Sequence, residues 1–116
     1  MIKIKIFYQH ENLVGIECKG HSGYADKGED IICAAVSVLI QSLKLGCMEV
    51  LKLETGFYFS DNSIPLMRIA WKPQECWKTY TLAETTARSL ESIADDNPGF
   101  VKINRTEDKK YYGIPF

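Results

Sequence analysis

The chain has 116 residues, 46% of them apolar, which is the size and composition of one domain around one core, spanning 1–116. Fourteen Lys and Arg against fifteen Asp and Glu leave a net charge of −1, so no global basic field exists to hold nucleic acid, and direct nucleic-acid binding is not expected. The opening MIKIKIFYQHENL alternates apolar residues with Lys and lacks the unbroken apolar stretch of a signal peptide. No other run reads as a membrane span, so a cytoplasmic protein without a membrane partner is expected. Cys18, Cys33, Cys47 and Cys76 form no CxxC pair and the histidines are only His10 and His21, so neither a disulfide framework nor a zinc site is supported.

Ile2, Ile4 and Ile6 share one face of a first strand, and Val14, Ile16 and Cys18 share one face of a second. The polar stretch Gln9–Asn12 between them completes a β-hairpin. Residues 20–29, GHSGYADKGE, hold three glycines and no periodicity, the pattern of a loop with unusual backbone angles. Asp30 then caps an apolar run, IICAAVSVLIQSLKL, which predicts a buried helix over about 31–45 with Gly46 as its C-cap.

Two strand candidates follow at 48–59 and 64–72 around the turn 60–63, with Pro65 suiting an edge or a strand start. Pro73 opens a second helix whose stripe is Cys76, Tyr80, Ala83, Ala87, Leu90 and Ala94, stopped by Asn97-Pro98-Gly99. Phe100, Val101 and Ile103 offer a last strand before the aromatic-rich tail YYGIPF. The expected fold is α+β, a ββαββα(β) sandwich with two helices on one face of a mainly antiparallel sheet.

Chemistry gathers around the first helix. Cys33 falls in its first turn, where unpaired N–H groups and the helix dipole favour a thiolate; cysteines so placed have pKa values of roughly 3.5–7.5 against about 8.5. His21 stands twelve residues earlier in the loop, in reach as a base. Gly20, Gly23 and Gly28 permit close backbone approach, so that loop N–H groups and that of Cys33 are candidate oxyanion donors. Ser37 and Gln41, each one turn further on, draw a polar line along the helix, and Asp30 and Ser37 are candidates for an orienting or supporting role. Residue types alone leave the function open, since a cysteine in an apolar helix is more often a core residue and a loop histidine more often a solvated one. Among the other thiols, Cys18 faces the core, Cys47 lies at the wrong end of the helix dipole, and Cys76 sits on an apolar stripe.

The stretch GHSGYADKGEDIICAAVSVL resembles the signature of the ribosomal-processing cysteine proteases, with Gly20-His21, Tyr24-Ala25, Gly28 and the block from Asp30 to Ser37 where that family has them. Element order and length are similar over nearly the whole chain, although the half after Gly46 carries no motif. The resemblance implies a homodimeric cysteine endopeptidase that removes a short, aromatic-rich N-terminal extension from a precursor of a bacterial large-subunit ribosomal protein. It puts the nucleophile on Cys33, the base on His21, and a substrate loop on Gly20, Ser22, Gly23, Tyr24 and Gly28. No cofactor and no metal are required for such acyl transfer.

Two other classes stand beside it. A non-enzymatic ribosome-assembly or protein-binding module would use the loop and the aromatics at Phe57–Phe59 to hold a partner, and a thiol redox sensor would pair Cys33 with Cys18. Replacing Cys33 with Ser separates enzyme from module.

Overall fold

A computed structural model describes residues 1–21, 23, 25 and 30–107. Strands β1 (Ile2–Gln9) and β2 (Asn12–Lys19) form the opening hairpin, closed by His10 and Glu11, both with positive φ, as a two-residue turn of matching twist requires. Helix α1 (Ile31–Leu45) crosses to a second hairpin, β3 (Thr55–Ser60) and β4 (Leu66–Trp71), and α2 (Cys76–Asp96) leads to β5 (Val101–Glu107). The sheet order is β3-β4-β2-β1-β5, antiparallel except that β5 runs parallel to β1. The expected α+β architecture is therefore present, as a five-stranded mixed sheet.

Alternation builds the core. Ile2, Ile4, Ile6, Val14, Ile16, Ile69 and Trp71 point to the helical side, where Ile32, Val36, Ile40 and Leu43 of α1 and Ala83, Ala87 and Leu90 of α2 meet them. Burying apolar surface at about 25 cal/mol per Å² makes this layer the main source of stability. The Trp71 indole is fully buried and donates Nε1–H to the Leu13 carbonyl at 3.0 Å, so its one polar atom is satisfied.

Several expectations change. Gly46 does not end the helix: its φ of −60° continues into a π-helical turn, Gly46–Val50, so the next strand starts only at Thr55. Gly46 packs against Leu82 of α2, whose Cδ1 would lie 2.8 Å from a Cβ placed there and would have to shift to admit one. Helix α1 is not buried all round, since Ile31, Val38 and Leu45 stand in solvent. Counted through Val50, the helix from Ile31 is also long and apolar enough to cross a membrane, contrary to the reading that no run approaches a span. Its inward residues are instead spent on the sheet and α2. On α2 the stripe turns slightly, burying Thr79 and leaving Tyr80 63% exposed. Pro65 lies just before β4, as a residue without an N–H should. The tail YYGIPF lies outside the described residues.

Candidate active site

The site forms where β2 ends and α1 begins. Gly20 leaves β2 with φ +96°, and a Cβ there would lie 2.7 Å from the Met1 carbonyl oxygen, so glycine is required on both counts. Asp30 caps α1: its Oδ1 accepts the N–H groups of Ile32 and Cys33, both at 3.0 Å, two of the four donors a helix start leaves unpaired. The Cys33 thiol donates to the other oxygen, Asp30 Oδ2, at 3.2 Å. Asp30 is itself buried, so one carboxylate ties the sulfur and the first helical turn together.

Cys33 is half-buried and opens into a cleft of about 340 Å³ whose wall also carries His21, Gly20, Asp30 and Ser37. The end of β2, the cap and the first turns of α1 thus bring these four residues to one hollow with the thiol. Ser37 Oγ accepts from Gln41 Nε2 at 2.8 Å, so the polar line on α1 is satisfied within itself one turn below the sulfur. The Cys33 N–H is taken up by Asp30 and is not aimed into the cleft as an oxyanion donor. Gly23 is exposed; Ser22, Tyr24 and Gly28 of the expected substrate loop lie outside the described residues.

The opposite wall was not foreseen. Phe59 at the end of β3, Asp61 in the following turn, and Pro65, Leu66 and Met67 leading into β4 line the same cleft as Cys33, together with Ile2. Only the aromatic cluster Phe57–Phe59 signalled an interaction surface, and the pleat divides it. Phe57 packs under the Lys44 ammonium at 4.3 Å, Phe59 lines the cleft, and Tyr58 points to the other face of the sheet.

The remaining thiols are set apart by burial. Burial, with the adjacent Glu17 carboxylate, raises Cys18 to about 12, and burial raises Cys47 to about 11. Burial also pushes Cys76 up; its Sγ donates to the Leu13 carbonyl at 3.3 Å. All four cysteines are free. Cys18 also borders the cleft, but a thiol so hard to ionise is a poor partner for exchange with Cys33. Among the described residues no cluster of His, Cys, Asp and Glu could hold a metal ion.

Comparison with known proteins identifies the family and the fold. The family model described as cysteine protease Prp matches residues 1–102. No curated protein matches the chain. Among solved structures, SMU.848 from Streptococcus mutans superimposes with a TM-score of 0.82 at 23% identity, over 93% of this chain and 96% of that one. The essential ribosomal processing protease Prp from S. aureus, in complex with a covalently linked product peptide, gives 0.82 at 19% identity, over 91% and 100%. The same S. aureus protease with a substrate peptide gives 0.78 at 17% identity, again over 91% and 100%.

Proposed function

The chain belongs to the cysteine protease Prp family, and from that premise we propose that it is an endopeptidase that trims the N-terminal extension of a large-subunit ribosomal protein, using Cys33 as nucleophile and His21 as base. The observation that carries this reading is the shared cleft: one thiol in the first turn of a helix and one imidazole on the preceding loop border the same hollow, large enough for an extended peptide segment. The name of the S. aureus neighbours, ribosomal processing protease, and their peptide complexes support the substrate class.

In the proposed reaction the Cys33 proton passes to His21 and the sulfur attacks the scissile carbonyl carbon, forming the C–S bond. The C–N bond breaks as imidazolium returns the proton to the leaving amine, and water then cleaves the thioester, releasing a carboxylate and restoring the thiol. In the structure the thiol donates to Asp30 Oδ2, so Asp30 acts as the positioning group and holds the sulfur at the cleft wall that His21 also borders. Phe59 and Met67 then receive an apolar or aromatic side chain beside the cut. A cytoplasmic homodimer completes the proposal, following the family.

The test is direct. Purified protein is incubated with the N-terminally extended ribosomal protein of the same genome and analysed by mass spectrometry. Trimming by the wild type and none by Cys33→Ala is expected; an untouched precursor, or equal trimming by both, overturns the assignment. A binding module would instead retain the precursor intact, whichever residue stands at 33.

A further inference from the structure

The face of the sheet turned away from α1 and α2 carries an ordered array of cations that the net charge of −1 conceals. Strand registry fixes its rows. Lys3 on β1 is paired with Lys19 on β2 and with Lys102 on β5, so three lysines stand side by side across three adjacent strands. Two residues along, Lys5 is paired with Glu17, and Glu17 with Arg68, which in turn is paired with Tyr58 on the edge strand β3. All four lysines are exposed, and among the described residues no ion pair holds them. The one carboxylate of this array, Glu17, is buried and bonded to the Arg68 guanidinium. Among the described residues, four exposed lysines therefore stand beside one carboxylate that Arg68 already engages.

Like charges directly opposite one another destabilise a sheet, and strands lie only about 4.8 Å apart, so this row is a cost to the fold that an anionic partner would relieve. A multivalent partner fits better than a single ion, because the ammonium groups span roughly 10 Å in one direction and a second cationic row lies beside them. Tyr58, 52% exposed, stands at the end of that second row, where its ring offers a stacking surface for a base. Apart from this ring the charged rows present no large exposed apolar side chain for insertion into a lipid layer.

We propose that this cationic sheet face docks the phosphate backbone of single-stranded RNA, with the exposed Lys3, Lys19 and Lys102 as the main contacts and Tyr58 as a stacking residue. The choice of RNA as the polyanion rests on the ribosomal substrate proposed above; the cationic array itself does not. Because the lysine row lies at the same end of the sheet as Ile2 and Leu66, which border the cleft, bound RNA would hold the protease beside a protein substrate carried on that RNA.

The experiment measures fluorescence anisotropy of a labelled single-stranded RNA of about 15 nucleotides, with the same sequence as DNA and phosphatidylserine-containing vesicles in parallel arms. Wild type is expected to bind RNA at about 50 mM salt and to weaken steeply by about 200 mM. The triple variant Lys3→Glu, Lys19→Glu, Lys102→Glu should lose at least about tenfold in affinity and about 2 units of salt slope, and Tyr58→Ala should weaken RNA binding at unchanged slope. Cleavage of a short free peptide serves as the check on folding and should be equal in all variants. No RNA binding by the wild type, binding unchanged in the triple variant, or vesicles or DNA bound more tightly than RNA would overturn the proposal. None of these readings requires the ribosomal protein to be a substrate, so failure here and failure of the protease assignment are distinguishable.

Discussion

Cys33 and Asp30 are joined twice, by the thiol proton on Oδ2 at 3.2 Å and by the Cys33 N–H on Oδ1 at 3.0 Å. The side chain that terminates the helix is thus also the one that holds the nucleophile, and a carboxylate at that distance opposes negative charge on the sulfur. Asp30→Asn keeps an oxygen for the cap and removes the charge. Its Cys33 should alkylate about tenfold faster than wild type at neutral pH, with little change in stability. Asp30→Ala should lose about 1 kcal/mol of stability through the vacated cap. Iodoacetamide kinetics and urea melts read the two effects separately; an Asn variant that alkylates more slowly would show that the carboxylate activates the thiol.

Of the four thiols, Cys33 should be modified first. It alone is half-exposed, whereas burial raises Cys18 to about 12 and Cys47 to about 11 and also pushes Cys76 up. Limited alkylation of the folded protein followed by peptide mapping should find label on Cys33 and none on the others until the chain unfolds.

His21 is exposed at the cleft mouth, so His21→Ala should leave the thermal melt unchanged while cleavage falls about 10²- to 10⁴-fold. Full activity in this variant would remove His21 from the chemistry.

Phe59 lines the cleft and is 55% exposed, so little of the core depends on it. Phe59→Ala should reduce kcat/KM on a peptide with an aromatic residue before the cut by about tenfold, the scale of 1.5 kcal/mol of lost apolar contact. Replacing the peptide's aromatic residues with Ala should cost a similar factor in wild type and little more in the variant. Raising salt should matter far less than either change.

The buried thiols set a pH limit. Cys18 and Cys47 ionise near 9.0 when unfolded and only at about 12 and about 11 when folded, so the unfolded chain releases protons first as pH rises. Their contribution is complete below pH 9 and declines through the window up to the folded values, by about 1.4 kcal/mol per pH unit for each thiol. Urea midpoints should therefore fall above pH 9, and Cys18→Val should flatten part of that slope. An identical slope in the variant would show that Cys18 ionises in the folded state.

The sequence alone determined what is local. Alternation in β1 and β2, the Asp30 cap and the extent of α1 at its start are all written within one or two turns of chain. Gly46 shows the limit: its residue type signals a helix end, yet its backbone continues the helix and its neighbour is Leu82, thirty-six residues away. The same holds for the far wall of the cleft, because Phe59, Asp61 and Met67 reach Cys33 only once β4 pairs with β2, and that pairing depends on burial across the whole sheet. Charge follows the same rule. A net of −1 is a property of composition, while the pleat sends alternate residues to opposite faces, and only strand registry could align Lys3, Lys19 and Lys102.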